Sequence, residues 1–281
     1  MMVQLNWRFG NIFCFICFIL QLKYTHTLRA KEDVLEDILR PYKSYWEHLN
    51  LNRNHRHVRD CQPIHYGNTT FETFSKKDKD TADSPPVILH SFLKRLSSDK
   101  GDNWVYGHIA TVSNPLQSLS VLQPLEAGGC QHNKRATVAR SSRQMKCRVA
   151  VNAGFFNTHT GSCLGNIVSN GKLVQDAQGV QNANFGIRKD GTMVTGYLSE
   201  ENVTPGKAET TFHQLVTGVI WILRNGKLYI NESIEAECKD TEETGTLQEF
   251  ANVMSGRTAV GHDKSGRVII VQVDGKTNHR G

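Results

Sequence analysis

The sequence predicts an α+β protein, mainly antiparallel sheets built from hairpins with few helices, and two observations carry that prediction. Turn punctuation separates short apolar runs throughout the second half of the chain. Ser169-Asn170-Gly171-Lys172, Lys189-Asp190-Gly191-Thr192 and Arg224-Asn225-Gly226-Lys227 are hairpin turns of the N-G or D-G type, and Lys264-Ser265-Gly266-Arg267 is a fourth. Helical rhythm, in contrast, lies near the N-terminus, ahead of the strand-like region.

The elements follow in order. Arg8 precedes the apolar run Asn11 to Leu20, which is short for a membrane span and has the pattern of a secretory leader; an uncleaved anchor is the rival reading. Residues 1–27 are assigned to the leader and 28–59 to a pro-segment. Within the latter, Val34, Leu35, Ile38 and Leu39 share one helical face before Pro41, and Tyr42, Tyr45, Trp46 and Leu49 continue an apolar side. Arg56-His57-Val58-Arg59 is a minimal processing site, with Arg59 at the boundary and an ordinary basic loop as the alternative. Residues 62–86 are polar and read as an exposed loop. Val87 to Leu93 and Trp104 to Val112 read as strands, and Leu119-Ser120-Val121-Leu122 begins a third.

The central stretch is Cys147 to Gly165. The short strand Val149-Ala150-Val151 runs into Asn152-Ala153-Gly154-Phe155-Phe156. Gly154 permits a sharp turn at positive φ, leaving an amide and two aromatic rings beside it. Such a surface suits a sugar; a tight turn anchored by two core phenylalanines is the plainer reading. Beyond it, 165–168 should pair with 172–174, 185–187 with 193–197, and 219–223 with 227–230. The strand Val268 to Val273 ends in Asp274-Gly275, putting a carboxylate at a strand end, where sites are commonly built.

Composition excludes some classes. Of 281 residues 38% are hydrophobic and 21% charged, which suits a globular chain. The net charge of +6 is dispersed in small clusters without a basic stripe and interleaved aromatics, so nucleic acid is not the expected partner. Without Cys14 and Cys17 of the leader, five cysteines remain: Cys61, Cys130, Cys147, Cys163 and Cys238. None forms a C-x-x-C pair, so no metal centre is expected. An odd count in an oxidising compartment leaves one thiol free or bridged elsewhere. Sequons at Asn68, Asn202 and Asn231 fit the same secretory route.

The motifs resemble the phosphodiester glycosidase family. They are Cys147 to Phe156, Gly161 to Asn166, Gly179 to Thr192 with Gly196 to Glu201, Arg257 to Asp263, and Asp274 to Thr277, over roughly residues 58–281. The resemblance implies an enzyme acting in the Golgi lumen, or secreted in this form, that releases N-acetylglucosamine from its phosphodiester with mannose. Phosphorylated N-glycans of lysosomal enzymes would be the partners. It implies a catalytic domain over 60–281 without the family's later Asp-Gly-Gly-Gly-Ser motif, and a membrane anchor only in full-length relatives. It also implies bridges Cys61–Cys238 and Cys130–Cys163, with the partner of Cys147 lying beyond residue 281. An inactive truncated product, or a glycan-binding module without catalysis, is the alternative. A homo-oligomer stays open.

Cleaving a sugar phosphodiester requires a site that holds phosphate, seats the sugar and activates the anomeric bond. Arg257 suits phosphate, because guanidinium bonds it bidentately; a structural salt bridge weighs equally. Asp274 is the candidate acid/base or hydroxyl ligand, with Glu200, Glu243 or a residue outside the chain as second carboxylate. His262 could protonate a leaving group near Golgi pH, although a lone histidine is more often structural. Substrate contacts are expected from Asn152, Gly154, Phe155, Phe156, Gln181, Asn182, Thr258 and Gly275. No cofactor is expected, and a bound cation is left open.

Overall fold

The computed structural model describes residues 2–5, 71–75, 86–98, 101–124, 128–157, 160–177, 182–207, 209–236, 247–252 and 256–274. The expected helix over 31–52, the processing site at Arg59, and Cys61, Asn68, Gln181, Cys238, Glu243 and Gly275 lie outside them.

In chain order the strands are β1 (Met2–Leu5), β2 (Phe71–Phe74), β3 (Val87–Ser98), β4 (Gly101–Val112), β5 (Leu119–Leu122), β6 (Val149–Asn152), β7 (Ile167–Ser169), β8 (Lys172–Gln175), β9 (Ala183–Arg188), β10 (Met193–Tyr197), β11 (Phe212–Thr217), β12 (Leu223–Arg224), β13 (Lys227–Leu228), β14 (Arg257–His262) and β15 (Val268–Val273). The α-helices are short: α1 (Pro115–Ser118), α2 (Val138–Ser142), α3 (Glu200–Val203), α4 (Ile230–Ala236) and α5 (Leu247–Asn252). Every strand pairing is antiparallel among the described residues, as the turn chemistry requires.

A six-stranded sheet has the order β2-β10-β9-β11-β7-β8, and a four-stranded sheet the order β14-β15-β4-β3. Their facing sides share the main core, where Ile167, Phe185, Ile187 and Met193 of one meet Ala110, Val112, Val268 and Ile270 of the other. The opposite side of the six-stranded sheet is covered too, by Leu198 and Val203 around Phe212 and Leu215. That is why β9 is buried along five successive residues instead of alternating. A bulge between Phe212 and Gln214 puts Phe212 on the same side as Leu215, and Gly186 leaves room for both. A Cβ on Gly186 would lie 2.7 Å from the Phe212 ring and 2.8 Å from Leu215.

Two expectations change in detail. Phe71–Phe74 is the edge strand β2 within the supposed loop, because Phe71 and Phe74 pack on opposite sides of the sheet. A four-residue strand between polar flanks is too short to raise a periodic signal. The ribbon after Val219 shrinks to Leu223–Arg224 against Lys227–Leu228, and Ile230 opens α4. There Ser233 accepts a hydrogen bond from the Trp221 amide at 2.8 Å and pairs with the Tyr197 hydroxyl at 2.6 Å. A buried hydroxyl with two partners outweighs two more rungs of an exposed ribbon. Residues 2–5, within the segment assigned to the leader, form β1, which pairs with β5 and β6.

Candidate active site

The central stretch folds as the glycine chemistry requires. Strand β6 ends at Asn152, and Gly154 turns the chain at φ 65°. Phe156 then forms a bridge with Cys163, and the Leu164 amide donates to the Phe155 carbonyl at 3.0 Å. The Cys130–Cys163 disulfide ties this loop to the preceding segment. Gly165, at φ 77°, lies against Thr217, where an added Cβ would come within 2.4 Å. The two phenylalanines therefore do different things. Phe155 packs edge-on to Phe250 of α5 at 6.1 Å, while Phe156 is 37% exposed beneath the Arg135 guanidinium.

Asn152 is joined to β14 by the Thr258 hydroxyl, which donates to Asn152 Oδ1 at 2.7 Å. Thr258 stands opposite Gln272 in the β14–β15 ladder, so the two share a face of the sheet. Gln272 Nε2 donates to Asp274 Oδ1 at 2.9 Å, and the Asp274 amide extends the ladder by donating to the Tyr106 carbonyl at 2.9 Å. A continuous polar row thus runs from Asn152 through Thr258 and Gln272 to Asp274. Gln272, which sequence reasoning missed, is the connecting member; its place in an apolar strand was the available signal.

Arg257 precedes Thr258 and by strand alternation faces the other way. Its guanidinium donates to the carbonyls of Phe250 at 2.8 Å and Gly256 at 3.2 Å, and lies over the Phe250 ring at 4.7 Å. Phe250 therefore connects Arg257 with Phe155, a relationship the sequence did not reveal because Phe250 belongs to a short helix outside the recognised motifs.

The remaining candidates are dispersed. His262 lies four residues beyond Thr258, about 13 Å along the strand. It packs on Phe74 at 4.8 Å, with Nδ1 against the Asp263 carbonyl. Asn182 is buried, and its carbonyl accepts from Asn184 Nδ2 at 2.6 Å within a polar cluster that includes Asn166 and Thr217. Glu200 opens α3, whose Val203 packs on the far side of the six-stranded sheet.

A separate cleft is bordered by Ser142, Cys147, Arg148 and Ala150. Burial pushes the Cys147 thiol up despite hydrogen bonds that act in the other direction, so it is protonated at neutral pH and a weak nucleophile. Among the described residues no group of three or more His, Cys, Asp or Glu could hold a metal ion. None of the described helices is long and apolar enough to cross a membrane.

The phosphodiester glycosidase family model matches residues 145–281. The chain is 44% identical over 246 residues to the N-acetylglucosamine-1-phosphodiester alpha-N-acetylglucosaminidase of Bos taurus, and 42% identical to that of Homo sapiens. Each match takes in 88% of this chain, which spans 44–45% of the length of these relatives. The solved catalytic domain of the zebrafish enzyme, described as auto-inhibited by its pro-peptide, is 48% identical with a TM-score of 0.69. That match covers 83% of this chain and 78% of the zebrafish one.

Proposed function

The chain belongs to the phosphodiester glycosidase family, and from that premise we propose that it hydrolyses the N-acetylglucosamine–phosphomannose diester on glycans of lysosomal enzymes, exposing mannose 6-phosphate. The observation that carries this reading is the Thr258–Asn152 hydrogen bond, which unites two family motifs 106 residues apart on one polar row.

Water adds to the anomeric carbon as its bond to the phosphate oxygen breaks, and the phosphate leaves on mannose. A phosphate monoester has a second pKa near 6, so it departs with little help from a general acid. That lowers the demand for the second carboxylate that ordinary glycosidases use. Asp274, whose orientation Gln272 fixes, is assigned to water or a sugar hydroxyl. Asn152, whose Oδ1 accepts from the Thr258 hydroxyl, is assigned to the acetamide or a hydroxyl, and Phe156 to the apolar face of the ring. Arg257 leaves β14 on the face opposite Thr258, and because β14 is the edge strand of its sheet we assign it to a phosphate that lies past that edge, its guanidinium held in place by the Phe250 carbonyl. His262 sits at the opposite end of β14 from Arg257, packed on Phe74, and takes no step in this scheme.

The secretory pathway, with the Golgi lumen as the working compartment, is part of the same proposal, and the Cys130–Cys163 bridge supports an oxidising one. So is a layout of leader, pro-segment and catalytic domain divided near residues 27 and 59. Blocking cleavage at Arg59 should then lower activity, and equal activity of both forms removes the pro-segment role.

The test is hydrolysis of N-acetylglucosamine-phosphate-mannose by this chain and by Arg257→Ala. The substitution should abolish diester cleavage and only weaken neutral sugar binding. If the chain binds the sugar yet never cleaves the diester, a non-catalytic glycan-binding role replaces the enzyme.

A further inference from the structure

The hairpin of β3 and β4 bears exposed apolar surface that the catalytic assignment does not use. Leu93 is 62%, Trp104 59% and Tyr106 42% exposed. Leu93 stands opposite Tyr106, and Trp104 lies two residues before Tyr106, so all three share one face. It is the face that carries Asp274. Across the four strands, Ser91, His108, Gln272 and Thr258 stand in register, making a polar row directly beside the aromatic one.

Each member of that row makes a side-chain hydrogen bond, Gln272 to Asp274 and Thr258 to Asn152 as described above. Ser91 Oγ and His108 Nδ1 are 2.9 Å apart, and the His108 ring meets Tyr106 edge-on at 5.0 Å. The indole N–H of Trp104, the Tyr106 hydroxyl, His108 Nε2, Gln272 Oε1 and Asp274 Oδ2 make no hydrogen bond among the described residues. The face thus combines flat aromatic surface with outward donors and acceptors. A pyranose has that pair of properties, an apolar C–H face and a rim of hydroxyls. Two charges of opposite sign flank the aromatic pair, Arg95 opposite Trp104 and Asp274 beside Tyr106, so the flat surface between them suits a neutral ring whose hydroxyls can meet either charge.

We propose that this face is a platform for an unphosphorylated mannose ring in the glycan that carries the diester. This rests on the functional reading above. It names where the uncleaved part of the substrate lies.

The test uses the full chain and an unphosphorylated oligomannose glycan, titrated calorimetrically. Saturable binding is expected, weakened about tenfold in Trp104→Ala and in Tyr106→Ala, the loss of one aromatic contact. Leu228→Ala removes a 72%-exposed side chain on the separate β12–β13 ribbon and should bind as the parent does. Thermal melts of each variant check folding. On glycan-borne diester, Trp104→Ala should raise KM about tenfold and change kcat less than KM.

Failure of the platform and failure of the enzyme are distinguishable. Glycan binding without hydrolysis overturns the enzyme alone. Hydrolysis with Trp104→Ala indistinguishable from the parent in both assays overturns the platform. Loss of a dimer on sedimentation in Trp104→Ala, with glycan affinity unchanged, also overturns it and assigns the face to a second copy of the chain.

Discussion

The Thr258 hydroxyl donates to Asn152 Oδ1 at 2.7 Å and closes the gap between a short strand of the central loop and the C-terminal hairpin. Neither side chain is buried, so the bond contributes little to folding by itself. Its effect is positional: with Oδ1 engaged, the Asn152 amide group has a defined direction for a sugar ligand.

Thr258→Val therefore separates position from stability. Valine keeps the branched shape and removes only the hydroxyl. Unfolding free energy should fall by about 1 kcal/mol or less, whereas kcat/KM on the diester should fall roughly 10-fold or more, because the misaligned amide acts in the transition state. Denaturant melts and steady-state kinetics on the same preparation check both. A purely structural bond would leave the kinetics unchanged.

The Cys130–Cys163 bridge closes a loop with a sequence separation of 33. Loop-closure entropy assigns about 3–4 kcal/mol to a crosslink of this span. Replacing both cysteines by serine should lower stability by that order, read from denaturant unfolding. The loop that presents Phe156 is bonded through Cys163, so diester hydrolysis should decline with it.

Sequence pattern identified the sheet class, the hairpins β7–β8 and β9–β10 and the turn at Gly154, because Asn-Gly and Asp-Gly turns between short apolar runs are local signals. What it did not reveal was which side of a strand meets which neighbour. Arg257 and Thr258 are adjacent in sequence yet face opposite ways, and Gln272 joins the site only through register with Thr258. Asn182 was expected to contact substrate, but its segment enters a sheet covered on both sides, and it is buried. Trp104 and Tyr106 read as strand residues; their exposure follows from the length of the β3–β4 hairpin, which composition does not reveal.

Of the two described sequons, Asn231 should carry the glycan and Asn202 should not. Asn202 Oδ1 accepts from the Ser199 amide at 3.0 Å and the Ser199 hydroxyl at 2.9 Å, forming the capping box of α3. A glycan would be attached through Nδ2 of the same amide and would have to project from a side chain held against Ser199. Asn231 is exposed in the first turn of α4. Glycopeptide mass spectrometry after expression through a secretory pathway decides the matter, and full occupancy of Asn202 would refute the structural argument.

Acid should loosen the β14–β15 hairpin through Asp263. Burial alone would push its carboxyl up, but the amides of Arg267 and Ser265 and the Arg267 guanidinium together hold it below the usual range. A carboxyl depressed in the folded state contributes stability that is complete above its unfolded value, about 3.9, and is lost as pH falls through the folded value. Arg267 is 46% exposed, so solvent screens the ion pair and the two amide bonds carry most of the effect. Asp263→Ala should cost about 1 kcal/mol at neutral pH. The difference from the parent should shrink below about pH 4 as the parent's carboxyl takes up its proton. Unfolding curves at intervals from pH 7 down to 3 measure that convergence, and a gap that stays constant throughout would mean that the Asp263 charge contributes nothing to the turn.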